Sequence, residues 1–192
     1  MTMNAARQPG HDVRVRAETP ADIAARDALL DRAMGPKWRR KASHRLRRGR
    51  IPAESLAFVA DDAAGRVVGT VRLWSVTAGE GGLAALLLGP LAVDPAVKSA
   101  GIGSALMRHA VEEARRLGHR AILLVGDAAY YGRFGFTADR TGSLSMPGPY
   151  ERERFLALEL AEGALDGASG TLVAAGRRKR PAPAAEGRAR AA

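Results

Sequence analysis

The sequence predicts an α/β fold around a mixed sheet, and three observations predict it. Two β-branched and aromatic runs, SLAFVAD (55–61) and RVVGTVRLWSV (66–76), are separated by a short turn from Asp62 to Gly65 and read as an antiparallel hairpin. A strand at 83–93, an amphipathic helix at 101–117 and a strand at 121–126 form a right-handed crossover, which joins parallel strands. The run LAALLLGPLAV (83–93) is apolar on both faces, as a central strand must be.

In chain order, Val13 to Val15 alternates as a short strand, then Thr19 is set to cap a helix with Pro20 at its first position and Asp22 in its first turn. Ile23, Leu29, Leu30 and Ala33 share one face of that helix, and Gly35-Pro36 ends it. A second helix is expected at about 37–49. Gly89-Pro90 breaks the central strand, because proline cannot donate to a ladder, so a bulge is expected there. In the helix over 101–117, Leu106, Ala110, Ala114 and Leu117 face inward, Arg108, Glu112, Arg115 and Arg116 face out, and Gly118 is the stop. FLALEL (155–160) reads as a late strand and Thr171 to Val173 as a last short one. From Gly176 the chain turns to Arg, Pro and Ala, which build no core. The expected organisation is a flexible stretch over 1–12, one domain over 13–175 and a disordered basic tail over 176–192.

Composition removes several classes of function. With 192 residues, 46% hydrophobic and 26% charged, the chain suits one ordinary domain plus a tail. The absence of Cys excludes disulfides, a thiol nucleophile and thiolate metal sites together. His11, His44, His109 and His119 have no ligand spacing, so no metal is expected. The first twelve residues lack the apolar core of a secretory signal and LAALLL (83–88) is too short to span a bilayer, so a cytoplasmic protein without membrane contact is expected. The net charge of +10 is concentrated in two places: 37–50 holds eight Lys/Arg and no acid, and 176–192 holds six and one Glu.

The feature that carries chemistry is VKSAGIGSALM (97–107), where a loop of small residues opens an amphipathic helix. Gly101 and Gly103 let backbone N–H groups approach a ligand, and the helix N-terminus offers unsatisfied donors and a positive dipole end to phosphate oxygens. No Gly-Lys-Ser/Thr closes a Walker loop, and Leu106 stands where a dinucleotide fingerprint needs a third small residue.

Lys98-Ser99-Ala100-Gly101-Ile102-Gly103 resembles the Gln/Arg-x-x-Gly-x-Gly/Ala signature of the GNAT superfamily of N-acetyltransferases, with Lys98 in place of the usual Gln or Arg. AYYGRFGF (129–136) resembles the family's Tyr-x-x-x-Gly-Phe segment through Tyr131, Gly135 and Phe136. GPLAVDP, LVGDAAYYGRFGF and PGPYERERFLALEL are similar to a sub-group of bacterial acyltransferases. The resemblance spans Val13 to about Leu160 and implies the family's mixed sheet of about six to seven strands with flanking helices. It implies acetyl-CoA or another short acyl-CoA as cosubstrate, no metal, and transfer to a primary amine by direct attack in a ternary complex. The pyrophosphate would lie on the amides of Lys98, Ser99, Ala100, Gly101, Ile102, Gly103 and Ser104, and pantetheine along Leu91, Ala92 and Val93.

Attack on a thioester creates an oxyanion that needs an N–H donor and expels a thiolate that needs a proton. The N–H of Val93, or of a neighbour freed by the Gly89-Pro90 break, is the candidate donor. Tyr131 is the candidate acid, a phenol's pKa of about 10 being close to a thiol's about 8.5. Tyr130 lies beside it against the coenzyme and is the substitute acid. No acid side chain stands on 83–93, so deprotonation is expected to run through ordered water or a group contributed from elsewhere, with Glu54, Glu80 and His44 as candidates for the base. The basic segment and Trp38 lie where the family lines its acceptor cleft, and their charge suits an acidic acceptor or the coenzyme's 3′-phosphate. A non-catalytic acyl-CoA-binding or regulatory module is the alternative function, and a nucleic-acid-associated protein acting through its basic arms is a second. No specific nucleic-acid fold accompanies those arms. The acceptor and the oligomeric state, a homodimer included, are open at the level of sequence.

Overall fold

The structure is a computed structural model that describes residues 13–79, 82–97 and 100–179. The strands are β1 (Arg14–Ala17), β2 (Ala57–Asp61), β3 (Val67–Ala78), β4 (Leu83–Val93), β5 (Ala121–Val125), β6 (Leu144–Ser145), β7 (Phe155–Glu159), β8 (Gly170–Thr171) and β9 (Val173–Ala174). The α-helices are α1 (Ile23–Met34), α2 (Ala42–Arg45), α3 (Ile102–Arg116) and α4 (Ala128–Tyr131). A seven-stranded sheet runs β1-β2-β3-β4-β5-β7, with β9 added to β3, and β6 and β8 form a separate pair. The expected mixture is present: β2 and β3 pair antiparallel, whereas β4 and β5 pair parallel.

Period-two alternation divides the sheet residues between two cores. Leu86, Leu88, Ile122 and Leu124 face α3, and Ala85, Leu87, Ala121 and Leu123 face the layer that contains α2. α3 comes down closely on β3 because Gly69 has no side chain: a Cβ there would stand 2.8 Å from Leu106 and 2.9 Å from Ile102. Phe136, the last residue of the Tyr-x-x-x-Gly-Phe segment, is buried in the same core.

The N-terminal cap forms as a reciprocal turn in which the Asp22 carboxylate accepts from the Thr19 N–H at 2.7 Å and hydroxyl at 2.8 Å. That carboxylate is also forked by Arg16, which bonds Asp61 of β2 at the same time. Two residues expected to face inward do not: Ile23 is 46% exposed at the start of α1, and Leu117 is 39% exposed beyond the last turn of α3. Both sit at helix ends, where the neighbouring layer no longer covers the face. The single helix expected over 37–49 is broken into a 3₁₀ turn (Pro36–Arg40) and the one-turn α2, because Lys41 is extended between them. A run of like charges gains little from i, i+4 pairing, so nothing local holds a longer helix.

The boundary expected at Gly176 also moves. Ile51 N–H donates to Arg177 O at 3.0 Å, Lys179 N–H donates to Gly49 O at 2.9 Å, and Arg50 bonds Gly176 O, so 176–179 runs antiparallel to 49–51. The rest of the expected tail and the 1–12 stretch lie outside the described residues.

Candidate active site

The cleft begins with the interruption in β4. Val71 pairs with Leu91 and Leu73 with Leu88, so Gly89 and Pro90 together oppose Arg72 as a bulge. Gly89 has φ +129, a conformation that suits glycine, and its carbonyl accepts from Trp74 Nε1 at 2.6 Å. β4 pairs with β5 only at Leu86–Ile122 and Leu87–Leu123; past these residues the two strands part. The opening between them is a cavity of about 70 Å³ that reaches Leu88, Gly89, Pro90 and Leu91 on one side and Leu124, Val125 and Tyr131 on the other.

The direction of the β4 amides follows from register. Asp94 N–H donates to Val68 O at 2.8 Å, and Ala92 is two residues before it, so both turn toward β3. Leu91 and Val93, at the alternate positions, turn their N–H groups to the side that β5 has left. The structure separates these two donors. Leu91 borders the cavity with Tyr131, whereas Val93 lies beside the first turn of α3, its methyl 3.6 Å from a Cβ built on Gly103.

At that first turn Gly101 is the N-cap, with φ +75, and no side chain caps the helix. The first intrahelical bond is Ala105 N–H to Gly101 O at 3.0 Å, which leaves the N–H groups of Ile102, Gly103 and Ser104 without helical acceptors. Ile102 anchors the turn in the core, while Gly101 is exposed. Ala100 leads into it half-buried, and Lys98 and Ser99 lie outside the described residues. Chemically this is a row of free amides in β4 that continues into a positive helix end, suited to an extended ligand with a phosphate group.

Both tyrosines of α4 face this row. Asp127, an N-cap that the sequence reading did not identify, accepts from Tyr130 N–H at 2.7 Å and fixes the helix at the end of β5. The Tyr131 ring lies against Gly126, where a Cβ would stand 2.1 Å from Cε2 of the ring. Tyr130 points its hydroxyl at the helix end, 2.7 Å from a Cβ built on Gly103. Burial, with a smaller effect from Tyr130, pushes the Tyr131 phenol up to about 12. The near match to a thiol expected from free-side-chain values is therefore corrected, because the cleft withdraws the phenol from water.

On the opposite side, the segment 37–50 forms the wall of a second hollow of about 200 Å³, which Arg72, Trp74 and Pro90 also line. Trp38 packs on Leu30 and Ala92, donates to Asp31 at 2.9 Å and is covered by Arg39. It is thus both core and wall. Of the three candidate bases, His44 lines this hollow; Glu54 is exposed away from it, and Glu80 lies outside the described residues. Burial, then Arg47, Arg39 and Arg48, hold His44 below the usual histidine range, which keeps its neutral form at pH 7. Arg26 and Arg72, which line the hollow, are held from behind by an ion-pair cluster that the sequence does not show: the buried Glu18 carboxylate pairs with both, and Arg72 Nε donates to it at 2.7 Å. Arg72 is 54 residues from Glu18 in sequence and reaches it only because β3 packs beside α1.

Residues 53–138 match the model of the acetyltransferase (GNAT) domain. An N-acetyltransferase of Escherichia coli K12 described as uncharacterised, YhbS, is 31% identical over 156 residues, covering 81% of this chain and 92% of the relative. The 1.55 Å crystal structure of E. coli YhbS in complex with CoA superposes with a TM-score of 0.74 at 30% identity over 88% of this chain and 93% of that one. A GNAT family acetyltransferase from Brucella melitensis in complex with acetyl-CoA gives 0.60 at 26% identity, covering 85% and 96%. With the splayed central strands, the uncapped glycine turn and the Tyr-x-x-x-Gly-Phe segment all in position, the chain belongs to the GNAT superfamily of N-acetyltransferases.

Proposed function

We propose that the protein transfers an acetyl or other short acyl group from acyl-CoA to a primary amine by direct attack in a ternary complex. The observation that carries this is the continuous row of free amides, Leu91 and Val93 in β4 followed by Ile102, Gly103 and Ser104, which ends at a positive helix terminus. Pantetheine extends along Leu91 to Val93 as an added strand, and the pyrophosphate sits on the amides of 101–104; Lys98, Ser99 and Ala100 belong to this loop by the family signature. The complexes of YhbS with CoA and of the Brucella protein with acetyl-CoA support the choice of donor. Such a metabolite is cytoplasmic, and so is the enzyme in this reading.

Leu91 N–H replaces Val93 N–H as the oxyanion donor, because Leu91 shares the cavity with Tyr131 and Val93 is beside the phosphate end. Tyr131 protonates the departing thiolate. Its raised pKa does not forbid this, since the same burial raises the pKa of a thiol held in the cleft. His44, neutral and in the hollow with Pro90, accepts the proton of the attacking amine. The arginine-rich wall favours an acidic acceptor.

Calorimetric titration with acetyl-CoA, desulfo-CoA and NAD tests the donor. Saturable binding of both CoA ligands without NAD binding is expected, and thiol release then screens acceptors. CoA binding with no thiol release for any amine would favour the regulatory-module reading; no CoA binding would reduce the glycine loop to a turn.

A further inference from the structure

Among the described residues, Arg47 stands out as a buried cation. It is 7% exposed, yet it forms no ion pair among the described residues. Its Nε and Nη2 donate to Ser43, to the carbonyl at 3.1 Å and the hydroxyl at 3.2 Å, which uses one edge of the guanidinium. Nη1 has no protein acceptor among the described residues and stands 3.6 Å from the Cβ position of Gly89, directly over the β4 bulge. Every fully buried side-chain nitrogen and oxygen among these residues has a partner, so Nη1 keeps an opening. Arg47 borders both the reaction cavity and the acceptor hollow, so that opening is onto the site. A cation withdrawn from water without a counter-charge is costly, and its pKa is lowered to about 10 by burial alone. Ser43 fixes the remaining edge, which presents two N–H groups side by side, the geometry that matches a carboxylate.

From this juxtaposition of a buried, uncompensated guanidinium with the bulge where the acyl group is attacked, we infer that Arg47 binds the carboxylate of a small amino acid acceptor. The inference rests on the acyltransferase reading and narrows its acceptor. Because the guanidinium lies over Gly89 and lines the same cavity as Leu91 and Tyr131, a carboxylate bound to it suits an acceptor with a short spacing between carboxylate and amine. That spacing fits α- and β-amino acids. It excludes the ε-amine of a protein lysine and the long, uncharged spacer of a polyamine. Arg48, Arg50 and Lys179 around the hollow have no acidic partner among the described residues and add long-range attraction for an anion.

The test uses the full chain with acetyl-CoA. Thiol release is measured for glycine, β-alanine, L-alanine and L-serine against their carboxamides, and for aminomethylphosphonate, spermidine and Nα-acetyl-lysine. At least one amino acid is expected to exceed its carboxamide in kcat/KM by at least about tenfold, and Arg47→Gln should reduce that ratio to near one through KM. Arg47→Met should raise the Tm of the free protein, because it removes an unpaired buried charge; this separates loss of binding from loss of fold. Equal rates for acid and amide, preference for spermidine or Nα-acetyl-lysine, or about tenfold preference for aminomethylphosphonate would each overturn the carboxylate assignment. So would Arg47→Gln lowering kcat alike for both members of a pair, which would put Arg47 at the reacting atoms. A panel with no turnover and no shift of the Arg47 Nε resonance also overturns it. Acetyl-CoA calorimetry on the same samples keeps the two levels apart, since absent coenzyme binding counts against the acyltransferase reading itself.

Discussion

Tyr131 and Gly126 form one unit, since the ring can lie at the mouth of the cleft only where residue 126 has no side chain. Tyr131→Phe is expected to lower kcat at least about tenfold and leave acetyl-CoA affinity nearly unchanged, which single-turnover kinetics and calorimetry would check. Gly126→Ala should lower kcat with the phenol still present, by displacing the ring. The raised pKa has a defined sign: the acid form of Tyr131 persists as pH rises, so no loss of kcat from its ionisation is expected below about pH 11. His44 has the opposite sign. Its pKa is lowered, so the basic form is lost only on acidification, and kcat should fall only at a pH below the usual histidine range in the wild type. A pH profile of His44→Gln that keeps the same acidic limb would assign that limb to another group. Tyr131 was legible in the sequence because it belongs to a spaced motif. Gly126, one residue after an apolar run, reads only as a strand end until the ring is seen above it.

At the scale of elements, the bulge in β4 and the glycine turn of α3 act together: the first frees amides along one strand edge, and the second continues them into a helix end. Gly103→Val should weaken acetyl-CoA binding at least about tenfold, because the new side chain meets the Tyr130 hydroxyl and covers the free amides. Unchanged affinity in calorimetry would remove the phosphate site from this turn. The bulge was legible because proline has no N–H, and the helix start because glycines precede an amphipathic run. Which freed amide faces the cavity was not. Which of Leu91 and Val93 meets Tyr131 depends on where β4 and β5 part, and that depends on pairing between strands more than 30 residues apart. The broken helix at 36–45 was equally hidden, since a basic run has the same composition whether it is one helix or two turns.

Across the whole molecule, the hollow beside the β4 bulge is assembled from distant segments: α1, the arginine segment, β3, the bulge itself and Lys179. The Glu18–Arg26–Arg72 cluster joins α1 and β3 to the turn after β1, so Glu18→Gln should cost about 3 kcal/mol and lower Tm in thermal unfolding, by leaving Arg72 without its counter-charge while Arg26 keeps Asp27. Residues 176–179 hold Gly49 to Ile51 through backbone bonds. Ending the chain after Ala175 should therefore lower Tm and weaken acceptor binding while coenzyme affinity is kept, whereas ending it after Lys179 should retain both. Equal behaviour of the two truncations would mean that the pairing does not support the hollow.

The sequence by itself determined the order of the long strands and of α1 and α3, the mixed character of the sheet, the glycine turn and the tyrosine motif after β5, because each is written in local spacing, turn chemistry or a short motif. Only the tertiary structure decided that β4 and β5 part at Leu88, that Leu91 shares a cavity with Tyr131, and that Arg47 is buried among eight Lys/Arg of one segment that look alike in sequence. The reason is physical. Burial, and with it the value of a charge or a free amide, is set by what packs against a residue from elsewhere in the chain.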